Sequence, residues 1–103
     1  MDDNKIDVCI DKDLETLIPD FLNNRQEDIN ELKKAMELIK TESLRILGHN
    51  MRGLGGSYGF ERITEIGEKI ENAALGLESN LNIIEENSQD LREYLENINV
   101  VYK

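Results

Sequence analysis

One hydrophobic period runs through nearly the whole chain, and it constrains the fold more than any other feature. Ile18, Leu22, Arg25, Ile29, Leu32, Met36 and Ile39 follow spacings of four and three, interrupted as an apolar series only by Arg25. Leu44, Leu47, Met51, Leu54 and Tyr58 form a second stripe, and Phe60, Ile63, Ile66, Ile70, Ala73, Ala74 and Leu77 a third. Leu81, Ile84, Ser88, Leu91, Leu95, Ile98 and Tyr102 form the fourth. Residues spaced in this way share one face of a helix with 3.6 residues per turn. No strand is expected, and no internal repeat, low-complexity tract or linker interrupts the pattern.

Local signals divide the stripes into elements. Pro19 fits the first turn of a helix, where its missing N–H costs nothing, which leaves residues 11–18 as a short preceding helix or as the start of one kinked helix. Thr41 and Glu42 predict a short break, Gly59 a helix end, and Gly76 the end of the third long helix. Ser79 or Asn80 is placed to cap the fourth. Short connections imply antiparallel neighbours. The expectation is therefore an all-α, antiparallel up-down four-helix bundle with a short extra N-terminal helix. It forms a single domain over residues 1–103, of which residues 1–10 are a flexible N-terminal segment.

Composition narrows the function. With 22 acidic and 12 basic residues the net charge is −10, which argues against nucleic acid or an anionic membrane as partner. Cys9 is the single cysteine, so neither an intrachain disulfide nor a cysteine-rich metal site can form, and its place between Val8 and Ile10 suggests a small packing residue. No apolar run is long enough for a signal peptide or a membrane span, so a cytoplasmic protein is expected. Met1 and the charged ends are expected of a complete small protein, a module excised from a larger kinase being the alternative.

Charge is also unevenly spread. Residues 1–31 hold ten acids and three bases, whereas residues 40–62 carry Lys40, Arg45, Arg52 and Arg62 against Glu42 and Glu61. The only histidine, His49, lies in this least acidic stretch and opens the run HNMRGLGGSYGF, residues 49–60. On a helical wheel with Leu44 at zero, the apolar stripe centres near roughly 320° and His49 falls near roughly 140°, directly away from the core. Arg52, Gly53 and Gly56, at roughly 80°, 180° and 120°, lie on the histidine's own side.

Glycine in a helix costs about 0.8 to 1.0 kcal/mol relative to alanine, so Gly53, Gly55 and Gly56 together forfeit roughly 2 to 3 kcal/mol. Access would explain that cost, because a second protein can bring a reactive group to an imidazole only where no long side chains stand around it. A glycine loop is the plainer explanation, but the stripe passes through the glycines without changing phase, which favours a helix.

The set His49, Arg52, Gly53, Gly56 and Gly59 resembles the histidine-containing phosphotransfer domain of two-component phosphorelays. Its members look like H-x-x-K/R-G with glycines three and six positions further on. The resemblance covers most of the chain, and Arg52 stands where lysine is more often found, keeping a cation but exchanging a point charge for a planar fork.

The resemblance implies a carrier with no kinase activity of its own. His49 would accept a phosphoryl group from a receiver-domain phosphoaspartate and pass it to another receiver. Arg52 would offset phosphoryl charge, and Glu71 would orient the ring through Nδ1–H and fix its tautomer; composition alone favours reading Glu71 as a solvated helix-face acid beside Glu65, Glu68 and Lys69, and only the resemblance raises it. Gly53 and Gly56 would let the receiver approach. Ile46, near roughly 200° on the wheel, would add an apolar contact to that surface or be buried against a neighbouring helix. Response-regulator receivers and a hybrid sensor kinase are the implied partners. The chain needs no cofactor, the receiver supplies a divalent metal, and a monomer is expected.

Other chemistries fit less well. A dimerising sensor kinase has a motif like H-E-x-x-T/N-P, whereas Asn50 follows His49 and Leu54 replaces the proline. GLGGSYG lacks the G-K-S/T of a phosphate loop, and no strand precedes it. A metal or haem bundle needs more ligands, and Ile46 occupies the position three before His49. The rival from another class is a helical adaptor that binds a receiver or kinase without accepting phosphate.

Overall fold

Pro19 sits in the first turn of the longest helix, α1 (Ile18–Glu37), as its fixed φ and missing N–H allow. In the computed structural model, which describes residues 5–76 and 80–103, three further helices follow: α2 (Thr41–Tyr58), α3 (Glu61–Leu75) and α4 (Leu81–Asn97). Each packs on the next, and α1 also packs on α4. Leu77 and Ser79, expected in the third stripe and at the cap of the fourth helix, lie outside the described residues. Asn80 caps α4, its side chain accepting a hydrogen bond from Ile83 N–H at 3.2 Å.

The core runs along the predicted stripes with local changes of phase. On α1 it is formed by Ile18, Phe21, Ile29, Leu32 and Ala35, while Leu22 and Met36 are partly buried against it. Phe21 leads because its ring stacks on Tyr58 and Phe60, with centroids 4.5 and 5.2 Å away. Arg25, the polar interruption of that stripe, is buried. Its guanidinium lies over the Phe21 ring at 4.7 Å, and its Nε donates to Asp28 Oδ2 at 2.7 Å, so its charge is partnered and its stem packs as an apolar residue does.

The break expected at Thr41 and Glu42 falls earlier, at Leu38–Lys40, and those two residues open α2 instead. Ile39 makes the turn at φ +52° and is 66% exposed, so it does not extend the α1 stripe. At the other end of α2, Gly59 has φ +89°. Phe60 N–H donates to the Gly55 carbonyl at 2.8 Å and Gly59 N–H to that of Gly56 at 3.3 Å, the double closure of a helix end that a left-handed glycine permits.

The two chain ends depart from the all-helical expectation. Residues Ile6–Ile10 form a strand, β1, paired in parallel with β2 (Ile98–Tyr102), in the register Ile6 with Ile98 through Ile10 with Tyr102. The segment expected to be flexible is thus ordered over Ile6–Ile10, and the last helix stops at Asn97, short of the predicted seam residues Ile98 and Tyr102. Side chains explain the change: Ile6, Val8 and Ile10 alternate with Asp7 and Cys9, and β2 reads INVVY, rich in β-branched residues. Ile10 is buried in the core and Val8 and Val100 pack against it, whereas Cys9 is exposed and is not the packing residue its neighbours suggest. The predicted N-terminal helix over residues 11–18 reduces to one 3₁₀ turn, Lys12–Leu14, with Asp11 Oδ1 accepting from Asp13 N–H at 2.9 Å.

The closest helix pair is α2 and α3, and glycine makes it close. A Cβ at Gly48 would lie 2.5 Å from the Glu71 nitrogen and 2.8 Å from the Gly67 oxygen, and one at Gly67 would lie 2.7 Å from the Gly48 oxygen. Gly55 is similarly confined, since a Cβ there would lie 2.6 Å from the backbone nitrogen of Thr64. At Gly53, by contrast, an added Cβ meets nothing within 4 Å. Gly53→Ala should therefore raise stability by up to about 1 kcal/mol through helix propensity, whereas Gly48→Ala should lower it by about 1–3 kcal/mol through overpacking against backbone. Urea unfolding of the two variants checks this opposition.

Candidate functional site

Because Gly48 and Gly67 let the backbones touch, a side chain from α3 reaches the exposed face of α2. Glu71 is buried, only 7% exposed. Its Oε2 lies 2.9 Å from His49 Nδ1, and its Oε1 accepts a hydrogen bond from Arg52 Nη1 at 3.2 Å. A carboxylate only accepts, so Nδ1 carries the proton, leaving Nε2 of the neutral ring as the lone-pair nitrogen. The His49 side chain is 63% exposed.

The electrostatics of Glu71 result from opposed effects. Burial disfavours its charged form, but hydrogen bonds from His49 and Arg52, reinforced by the charge of the guanidinium, prevail and hold the carboxyl below the usual glutamate range. A folded-state pKa that is depressed gives stability that is fully present above the unfolded value and is lost as pH falls through the folded one.

Around the imidazole the two sides differ. Toward α3 stand Arg52, one turn after His49, and Arg45, one turn before it. Arg45 Nε lies 3.2 Å from both carboxylate oxygens of Glu42, and its Nη2 also bonds Oε1. On the other side Asn50, Gly53, Leu54 and Ser57 line an open groove of about 330 Å³ that begins at His49. Ile46, 44% exposed rather than buried against a neighbour, lines a second groove of about 370 Å³ with Leu38, Lys34 and Lys40. Leu38 and Ile39 add exposed apolar surface at the same corner.

His49, Arg52 and Glu71 thus come together in one hydrogen-bonded set, with Gly53, Gly56 and Ile46 beside it. Gly56 is nearly as open as Gly53, the nearest atom to an added Cβ being Thr64 Oγ1 at 3.6 Å. Gly55, grouped in sequence with these two, belongs to the helix contact instead, because it is buried against Thr64 and Phe60. Sequence reasoning also missed Thr64, whose hydroxyl donates to the Arg52 carbonyl at 2.9 Å and ties α3 to the turn that follows His49. The spacing of Gly48, Gly55 and Gly67 on faces directed at one another was the available signal. Among the described residues no cluster of histidine, cysteine, aspartate and glutamate could hold a metal ion, and no helix is long and apolar enough to cross a membrane.

A family model described as the Hpt domain matches residues 16–100, so the chain belongs to the Hpt domain family, the histidine phosphotransfer domains of two-component phosphorelays. Members of this family are phosphoryl carriers rather than kinases and work with receiver domains and kinases. No curated protein and no solved structure gives a significant match to the chain.

The charge of Glu71 should be visible in stability. The native protein's advantage over Glu71→Gln in urea unfolding should shrink as pH is lowered from 7 to below about 4, where an unfolded glutamate takes up its proton. A difference that does not change with pH would contradict the ionised, partnered state.

Proposed function

We propose that His49 accepts a phosphoryl group from the phosphoaspartate of one receiver domain and passes it to the aspartate of another. The observation that carries this reading is the Nδ1 contact of 2.9 Å with buried Glu71, which leaves Nε2 as the lone-pair nitrogen of an exposed ring. In the forward step Nε2 attacks phosphorus, a P–N bond forms, the acyl-phosphate P–O bond breaks and the receiver's carboxylate leaves. Positive charge develops on the ring, and Glu71 stabilises it while keeping the Nδ1 proton in place. Arg52, already on Glu71, offsets charge on the transferring oxygens. The divalent metal belongs to the receiver, and the chain works without a cofactor of its own.

Docking uses the open side of α2. Gly53 and Gly56 clear space for the receiver, and Ile46 with Leu38 supplies apolar contact, as exposed apolar patches commonly do at interfaces. The bundle is read as antiparallel and up-down, which the contacts of Gly48 with Gly67 and Glu71, and of Gly55 with Thr64 and Phe60, support for α2 and α3. The protein is read as a cytoplasmic monomer that serves a hybrid kinase and its receivers.

Incubation with radiolabelled phospho-receivers should move label onto the chain in an acid-labile, base-stable bond. His49→Gln should abolish that labelling without changing the melting temperature, and label retained by this variant would refute the assignment. Gly53→Leu should cut transfer from the receiver on the order of tenfold or more, because misplacement by about 1 Å already costs two orders of magnitude in well-aligned reactions. Its melting temperature should not fall, since the position is open.

A further inference from the structure

Arg45 stands outside the hydrogen-bonded set of His49, Arg52 and Glu71, yet its position relative to His49 mirrors that of Arg52. On the α2 wheel, Arg45 and Arg52 lie about 40° and 60° to one side of His49, and Gly53 and Ile46 about 40° and 60° to the other. Arg45 is four residues before the histidine, a spacing that makes side chains neighbours on a helix. Its side chain is half-buried, 33% exposed, while that of its partner Glu42 is 71% exposed. The two cations are held differently: Arg52 is bonded to Glu71, which the imidazole also uses, and Arg45 to Glu42, which touches nothing in the site.

Resting on the assignment of His49 as phosphoacceptor, we propose that Arg45 is a second phosphoryl-binding cation, kept on Glu42 while the imidazole is unmodified and transferred to the phosphoryl oxygens once Nε2 carries them. Charge decides the exchange. A phosphoryl group brings about −1.5 to −2 at neutral pH and three strong acceptors, against one charge on Glu42, and a planar guanidinium can meet two of those oxygens at once. Glu42 loses little when Arg45 leaves, because it stands in the first turn of α2, where the partial positive charge of the helix N-terminus favours a carboxylate. Arg52 commits Nη1 to Glu71 and meets phosphoryl oxygens only with its remaining donors, whereas Arg45, once off Glu42, has its whole fork available.

The test uses the full chain phosphorylated with phosphoramidate, a small donor that needs no docking, followed by ³¹P NMR of the phosphohistidine across pH. A cation on the phosphoryl oxygens favours the dianion, so Arg45→Gln should raise the second phosphoryl pKa by about 0.5 units. Arg45→Lys should recover most of that shift, and Glu42→Gln, which removes the competing carboxylate, should move the pKa the other way. Phosphohistidine that titrates identically in the native protein and in Arg45→Gln overturns the role of Arg45 and leaves His49 as acceptor. No phosphohistidine in the native protein, from phosphoramidate or from a phospho-receiver, overturns both.

Discussion

The site depends on a contact that involves none of its reactive groups. Gly48 and Gly67 bring the backbones of α2 and α3 so close that a Cβ on either would lie within 3 Å of the other helix. That distance lets a glutamate on α3, buried at its own base, place its carboxylate on the exposed face of α2. Any side chain at Gly48 or Gly67 would meet backbone of the facing helix and force this contact to shift, and the 2.9 Å hydrogen bond is built across it. Thr64, bonded to the Arg52 carbonyl, fixes the same pair one turn beyond the histidine. The orientation of the imidazole is therefore a packing property of two helices, and its chemistry inherits their rigidity.

Glycine consequently has three physical roles within twelve residues of α2 and its end. Gly48 and Gly55 are small because backbone lies against them, and Gly59 is glycine because the chain turns through a left-handed conformation. Gly53 and Gly56 have neither reason, since both are exposed and open. Only these two carry a helix-propensity cost with no packing or conformational return, and only they lie beside the imidazole. The access argument, which the sequence alone spreads over Gly53, Gly55 and Gly56, is stronger on the smaller set.

What could be read from the sequence follows from the range of the interactions involved. The helices are legible because an amphipathic period is local: every turn of α3 repeats the statement made by Ile63, Ile66 and Ile70. The β1–β2 ladder is not, because Asp7 meets Asn99 across 92 positions, and neither five-residue strand is stable without the other. INVVY extended the stripe of α4 in phase, so a helical reading of Ile98 and Tyr102 had no local contradiction to stop it. Phe21 displaced Leu22 from the core for a similar reason, its stacking partners Tyr58 and Phe60 being on other elements. At the site, His49, Arg52 and Gly53 stand on one helix and could be placed by angle. Glu71 stands on another and was indicated only by family resemblance, since Glu65 and Glu68 on the same helix look no different in composition.

A chain of net charge −10 is an unpromising place to hold a phosphoryl group, and distance resolves the difficulty. At physiological ionic strength exposed charges further apart than about 8 Å are largely screened, so the groups beside Nε2, and not the net charge, set its surroundings. Next to the imidazole the charges cancel instead of accumulating: Glu71 is paired with Arg52 and Glu42 with Arg45. The negative surface elsewhere then helps function, because it discourages nonspecific association with nucleic acid and anionic membrane while leaving the stretch around His49 as the place where an anion meets the least resistance. Local pairing across two helices, rather than overall charge, decides what the imidazole can carry.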